Sequence, residues 1–554
     1  MQFWDFVLIA VSLLFFRPMV WLVHKEPSAT NSPEGRAVDL ISADPEVIGG
    51  SGRMVDYKLN RNDVISVLIV ISLAASAPPL RWIGITSLPE GQEIIHGFIS
   101  FLVLILTWQF ATRDYDVTNP IRPQKYVRII LCTTAIFATL VPLFIFAWLY
   151  VALRFMDVWK HHIKMPVRLI KMYIVAFSSL SLLLWLEAVF CIDIEITVTP
   201  IFILIACVQL SHYLVPGRDK ILLGKRWSSW IIQNQTHLLT ASAYNWGWAN
   251  FVDRSKYQDF ITKLAPAVII INIFTIIAES VVALSLYDYK FYIISTVVFI
   301  ILNTGIFLLS GILFWEYIAV NMGFIAMVAI LESHGSGIDF GLPALLASLV
   351  VLSAPVIWGR IWSVSKLAWW DTPFVARVRW EVQGVSGRTY GLYNDFMCPF
   401  ERDYGRNYGN FLVRERILTG HLGIVWTSEV RDAILASNGS VKSIDALKAR
   451  YGVSFYDAER AAQHADFLRD MFTRLNSGQN KSVLHRWLSW AKAPGGQLYY
   501  WGEKPGYKGQ EPVASVKAFY TEKYFNQDDR TTSTLRDDLV LDVAIQNTKP
   551  DLSK

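Results

Sequence analysis

Charge is scarce in this chain: Asp, Glu, Lys and Arg make up 18% of its 554 residues, against 53% hydrophobic residues. A soluble protein of that length divides into several domains, each with a charged surface, and so little charge does not furnish those surfaces. Cysteine is scarcer still. Cys132, Cys191, Cys207 and Cys398 form no CxxC pair, and three of them lie in or beside apolar segments. Neither a disulfide framework nor a zinc site is indicated. No Walker loop, GxSxG elbow, HExxH helix or dinucleotide fingerprint occurs in a suitable context. The net charge of +5 is small and its cations are spread over loops, which argues against a nucleic-acid partner. Met1-Gln2-Phe3-Trp4-Asp5 lacks the basic start of a cleaved signal peptide.

What the chain has instead is long uncharged runs of Leu, Ile, Val and Phe with Trp and Tyr near their ends, at a mean hydropathy of +0.35. In lipid every backbone amide must bond within its own segment, so such runs form helices and the bilayer is the chain's partner. The runs predict spans at Phe3–Val23, Asp63–Pro78, Ile94–Ala111, Ile129–Leu153, Met172–Phe190, Thr197–Val215, Leu264–Leu286, Phe291–Leu313, Trp315–Leu331 and Leu342–Gly359. Because Asp63–Pro78 is short and Phe314-Trp315 has no turn residues, the expected count is about eight to ten.

Between the spans, Lys25–Asn62 reads as a mobile connector. Pro216–Lys263 is basic, carries Trp227, Trp230, Trp246 and Trp248, and alternates polar and apolar residues at helical spacing. That pattern predicts amphipathic helices at the membrane surface. Basic residues in Arg113–Arg128, Arg154–Lys171 and Pro216–Lys263 would all favour the cytoplasm. Two of these loops flank one expected span and cannot share a side unless that span is a hairpin. Four spans separate Pro216–Lys263 from the C-terminal part, so those two regions share a face.

After Arg360 the pattern changes. Val375–Val382 alternates, and Gly384 to Gly387 turns it into Arg388–Tyr393, the signal of a β-hairpin. Ser443–Tyr451 reads as a helix stopped by Gly452, and Tyr456–Leu475 as a longer one with Ser454 as its cap. Val513–Phe525 and Leu539–Ile545 read as strands. The expected architecture is an all-α polytopic membrane bundle over residues 63–360, preceded by a first span and connector (1–62) and followed by a soluble α+β domain (361–554).

Candidate chemistry lies in polar residues within apolar spans, where a charge is costly and faces a partner or a cavity. Asn272, Thr275 and Glu279 fall on one helical stripe, and Asn303 lies in the eighth span. Interhelical hydrogen bonding and a cavity lining both account for them. The adjacent His161 and His162 diverge on a helix and are read as interfacial rather than metal-binding; no metal site is assigned. In Ser211-His212-Tyr213-Leu214-Val215-Pro216-Gly217-Arg218-Asp219-Lys220 a span reaches a Pro-Gly break followed by cations. This is an ordinary helix exit, or a place where Lys220 folds back under the amphipathic helices and acts as a base. Asp395, Cys398, Glu401, Arg402 and Asp403 crowd an aromatic loop that is read as packing against the bundle.

The segment from Tyr213 through Gly217 and Lys220 to Trp227 resembles the Tyr-Phe-x-x-Gly-x-x-Lys-Leu…Trp element of the HTTM superfamily, which includes the vitamin K-dependent gamma-carboxylases. Leu302-Asn303-Thr304-Gly305-Ile306-Phe307 through Trp315 is similar to a second span of that family, with Asn303 where the family has histidine. The resemblance implies a base at Lys220 supported by His212 and Glu279. It also implies a lipid-soluble quinone or quinol cofactor near Tyr213, Trp227, Asn272 and Asn303, and a tail on the exoplasmic side. Three classes stay open: an HTTM-type membrane enzyme, a transporter or channel lined by Glu279, Asn272 and Asn303, and a non-catalytic assembly factor whose tail docks a protein partner.

Overall fold

The computed structural model describes residues 1–23, 89–112, 124–155, 164–335, 337–358, 361–362, 364, 367–393, 409–478, 486–494 and 500–545. The expected span Asp63–Pro78, the connector Lys25–Asn62, His161 and His162, and the Cys398 loop lie outside the described residues.

The N-terminal part is a helical bundle. Its helices are α1 (Phe3–Val23), α2 (Gln92–Ala111), α3 (Gln124–Leu140), α4 (Leu143–Phe155), α5 (Lys164–Phe190) and α6 (Thr199–Leu222). Three short helices follow, α7 (Ser229–Gln233), α8 (His237–Trp246) and α9 (Arg254–Leu264). The bundle then resumes with α10 (Val268–Ser280), α11 (Tyr289–Ser310), α12 (Trp315–Ser333) and α13 (Leu342–Val356). Six described helical runs are long and apolar enough to cross a membrane: 92–111, 165–190, 199–222, 254–287 (α9 and α10 with the 3-10 turns that continue them), 289–310 and 315–333. This is compatible with a multi-pass membrane protein. Three further apolar helices, at 3–16, 128–140 and 342–356, are shorter.

Two expectations from the sequence change here. The run Ile129–Leu153 is not one span but a hairpin of α3 and α4. Pro142 has no N–H to carry the helix on; α3 closes with Val141 N–H donating to Phe137 O, and α4 starts afresh with Ile145 N–H donating to Pro142 O. Conversely, α6 does not stop at Pro216-Gly217 but continues to Leu222. Proline there removes one rung of the helix ladder, yet Gly217 lets α10 come close. A Cβ on Gly217 would stand 2.8 Å from the Glu279 Cβ, so packing holds the helix through the break.

The hairpin decides which helix ends lie together. Trp108, at the end of α2, donates its Nε1–H to Ala491 O at 2.8 Å, and Ala493 N–H donates to Thr112 Oγ1. The far end of α2 meets the turn of the hairpin, with His96 Nε2 3.2 Å from Thr139 O. On the way back, Trp148 Nε1–H of α4 donates to Thr107 Oγ1 at 2.8 Å. The ends joined by Arg113–Arg128 and by Arg154–Lys171 therefore lie on the face that carries the C-terminal part, as does the end of α6.

That C-terminal part is built on a four-stranded antiparallel sheet, in the order β2 (Thr389–Leu392), β1 (Phe374–Gly384), β5 (Val513–Asn526), β6 (Thr531–Ala544). The expected hairpin is present, with Trp380 opposite Leu392. A short pair, β3 (Arg416–Ile417) and β4 (Val453–Ser454), stands apart. One face of the main sheet, with Val378, Trp380, Val382 and Tyr520, shares a core with Ile434 of α14 (Ser428–Ala436), Ile444 of α15 (Val441–Tyr451) and Leu468 and Phe472 of α16 (Ala458–Asn476). The long helix is capped by Asp457, whose side chain accepts from Arg460 N–H. The expected cap, Ser454, is on β4. The other face of the sheet looks toward α8, where Arg377 donates to the Trp246 carbonyl. Thus α7 to α9 form a layer between bundle and sheet.

Candidate functional site

The residues singled out around Lys220 meet where α6 and α10 cross. Because Gly217 has no side chain, the two helices approach closely enough for Lys220, one turn further on, to reach across. Its Nζ donates to both Glu279 oxygens, each at 2.7 Å, and both side chains are buried. The Trp230 ring of α7 lies over the ammonium, with its centroid 5.6 Å from Nζ, a cation–π arrangement. Trp230 is itself tied to the C-terminal part, its Nε1–H donating to Trp369 O at 2.9 Å. Lys220 thus lies under α7, on the last turn of a helix that runs on through Pro216-Gly217. The indole above it is that of Trp230; Trp227 is 71% exposed.

Asn272 is buried and fully engaged in hydrogen bonds. It donates to Ile231 O and Asn234 O at 3.0 and 2.9 Å, and accepts from Thr236 Oγ1 at 2.5 Å. These bonds terminate α7 and hold the turn that carries Asn234. Asn234 in turn grips Asp371: its Nδ2 donates to Asp371 Oδ2 at 2.7 Å, and its Oδ1 accepts from Asp371 N–H at 2.9 Å. Trp369 Nε1–H adds a bond to Oδ1 at 3.2 Å. Burial pushes the Asp371 carboxyl up to about 7, against the pull of those hydrogen bonds and of the nearby Lys220 charge. A buried carboxyl tuned to neutral pH beside a buried ion pair is the kind of group found at functional sites. Reading the chain alone passed over Asp371; the available signal was an acid set directly after Trp369-Trp370 at the end of the last apolar run.

The remaining candidates lie deeper, in a buried polar chain. The Tyr213 hydroxyl accepts from Asn303 Nδ2 at 2.9 Å and from Asn321 Nδ2 at 2.8 Å, and its ring stacks on Phe299 with centroids 3.6 Å apart. Gln209 donates to Asn321 Oδ1 at 2.7 Å and accepts from the Tyr292 hydroxyl at 2.5 Å. His212 stands eight residues before Lys220, about 12 Å of helix rise. Its Nδ1–H donates to Val208 O at 2.8 Å, which leaves Nε2 to accept from Arg168 Nη1 at 3.0 Å. Buried Glu316 accepts from Gln109 at 3.2 Å. Arg168, Gln109, Asn321 and Glu316 were not anticipated: Gln109 and Glu316 are single polar residues near the end of an apolar run, Asn321 is one within such a run, and Arg168 belongs to the basic stretch Arg154–Lys171.

The structure therefore brings together Lys220 with Glu279, and Tyr213 with Asn303. Asn272 meets neither pair and holds the end of α7 and the turn of Asn234 instead, and His212 sits apart with Arg168. Among the described residues, no group of three or more His, Cys, Asp or Glu is arranged to hold a metal ion. No protein-family profile, curated protein or solved structure matches this chain.

Proposed function

We propose that this chain is a multi-pass membrane protein whose chemistry is a proton transfer at the junction of bundle and sheet. In this reading a weakly acidic, membrane-soluble substrate of the quinol class gives its hydroxyl proton to the Lys220–Glu279 pair, and Asp371 passes the proton on to the aqueous side. The observation that carries it is the buried amine held by both oxygens of Glu279, next to a carboxyl poised at about 7. The role of Lys220 is the one implied by the HTTM resemblance. The membrane side is not: the hairpin of α3 and α4 puts the helix ends that flank Arg113–Arg128 and Arg154–Lys171 on the face of the sheet, where the basic segment Pro216–Lys263 also lies, which supports a cytoplasmic sheet.

A protonated-carboxyl infrared band from 13C-labelled aspartate should titrate near pH 7 and disappear in Asp371→Asn. Lys220→Met should move that midpoint upward, since the ammonium holds it down. A carboxyl raised in the folded state stabilises the fold fully at acid pH, and this contribution is lost as pH rises from about 4 to about 7. Asp371→Asn should accordingly flatten the stability profile in that window. A band that titrates in the ordinary carboxylate range, or one indifferent to Lys220→Met, would sink the proton-transfer reading.

The side of the membrane has its own test. A cysteine placed at exposed Asp528 in the β5–β6 turn, with the native cysteines replaced, should react with an impermeant maleimide only after the cells are opened. Labelling of intact cells would put the sheet outside and restore the carboxylase-like arrangement. A second reading, transport, draws on the buried chain Tyr292–Gln209–Asn321–Tyr213–Asn303 within the bundle. It requires flux that Glu279→Gln alters.

A further inference from the structure

Between the short helices and the outward face of the sheet lies a cavity of about 890 Å³, of a size that holds a small organic ligand. Strands β1 and β5 form its floor. Arg377 pairs with Thr521 and Val375 with Lys523 across the two strands, so Arg377 and Lys523 are diagonal neighbours on one face, about 7–8 Å apart. Tyr244, Trp246 and Tyr500 wall the cavity, and Asn245, Lys504 and Glu503 also line it.

Its lining holds five cations and four carboxylates, a net charge of +1, and the carboxylates are engaged unevenly. Arg379 is bridged to Asp537 at 2.9 Å and to Glu381, Lys504 also holds Glu381, and Arg254 meets Glu503 at 3.0 Å. Asp253 caps α9 by accepting from Ser255 and Lys256 N–H. That leaves the two diagonal cations. Arg377 makes its one side-chain bond to a carbonyl, that of Trp246, and its buried Nε has no partner. Lys523 has neither a hydrogen bond nor an ion pair among the described residues. The buried Nδ2 of Asn245 is also without a partner. Like charges placed diagonally on a sheet repel, and orphaned buried donors are costly. An anion between the two cations removes their repulsion.

We propose that this cavity binds a phosphate monoester, its phosphoryl oxygens held by Arg377 and Lys523 and its organic part lying against Tyr244, Trp246 and Tyr500. A monoester carries a charge of about −1.5 to −2 at neutral pH, and its several oxygens can meet both cations at once, neither of which has an ion pair of its own among the described residues. Arg377 supplies the planar fork suited to phosphate and Lys523 the point charge. The ester can come from a lipid headgroup or from a soluble metabolite; the phosphate chemistry is the same. Burial and the neighbouring Arg377 bring the Lys523 amine down to about 8, so affinity should weaken as pH rises through that value. The site is independent of the Lys220 centre.

The test uses the full chain in phosphatidylcholine nanodiscs, with thermal midpoint and 31P line width as readouts. The probes are phenyl phosphate and dihexanoylphosphatidic acid, with benzoate and a short-chain phosphatidylcholine as controls. A phosphomonoester should raise the midpoint saturably and broaden its own 31P line, while the controls do neither. Protection by phosphatidic acid alone identifies a lipid source, and protection by phenyl phosphate as well identifies a soluble one. Arg377→Gln and Lys523→Gln should each weaken binding about tenfold or more; Lys523→Gln should leave the unliganded midpoint unchanged or higher, whereas Arg377→Gln also loses the bond to the Trp246 carbonyl and should lower it. Wild-type protein provides a check that needs no variant: 31P broadening must diminish between pH 7 and about 9. Absence of protection by both phosphate probes, equal protection by benzoate, or wild-type affinity in both variants overturns the assignment.

Discussion

Glu279→Gln is expected to destabilise the protein by about 3–5 kcal/mol, because it leaves the Lys220 ammonium buried without a counter-charge. Lys220 and Glu279 are 8% and 6% exposed, so water cannot take over the lost role. The pair as a unit is another matter. Taking two charges out of water costs nearly as much as their attraction returns, and buried pairs replaced by apolar residues of similar volume are often neutral or more stable. Lys220→Met with Glu279→Leu should therefore recover most of the loss suffered by the single variant. Thermal unfolding in nanodiscs, run as a double-mutant cycle, measures both. A single-variant cost under about 1 kcal/mol would mean that the site is wetter than its burial indicates. The cycle also separates structure from chemistry: a stable double variant that has lost the titrating carboxyl's response to residue 220 has kept its fold and lost its proton site.

Gly247→Ala should be comparably damaging, for a reason that has nothing to do with charge. Gly247 ends α8 with φ at 112°, a conformation that L side chains rarely adopt. A Cβ there would stand 1.5 Å from the Trp501 carbonyl oxygen. The same carbonyl accepts from Asn250 Nδ2 at 3.0 Å, and Trp501 N–H donates to Gly247 O at 2.9 Å. Alanine must push the Trp501 segment off α8 and break both bonds. Strain plus lost contacts predicts a cost of about 3 kcal/mol or more. The check is a lowered thermal midpoint together with faster proteolysis near Tyr500. A variant within about 0.5 kcal/mol of wild type would show that this segment is not docked on α8.

Much of the fold was legible from local patterns. The apolar runs of α2, α5, α6, α11 and α12 are each long enough to cross a bilayer, and a helix is the form that satisfies their backbones there. The β1–β2 hairpin was legible because alternation of period two ends in the Gly384–Gly387 turn. Patterns with two readings failed. Proline closes a helix at Pro142 but not at Pro216, and the difference lies outside the local residues. At Pro142 the chain is free to reverse; at Pro216 the neighbouring glycine is pressed against α10. Helix caps were equally ambiguous, since Ser454 and Asp457 can both cap and only the strand pairing of Ser454 decides.

By itself, then, the sequence determined an apolar helical bundle followed by a part with strand periodicity, and it marked Lys220, Glu279, Tyr213 and Asn303 as polar residues in need of partners. Hydrophobic length and period are properties of adjacent residues, so they can be read along the chain. Which partners those residues found was decided only by tertiary structure. Glu279 lies 59 positions from Lys220, and Asp371 lies 137 from the Asn234 that holds it. A buried charge must be matched by whatever the packing of helices brings within about 3 Å of it. That choice is set by crossings such as Gly217 on α10, which no run of neighbouring residues encodes.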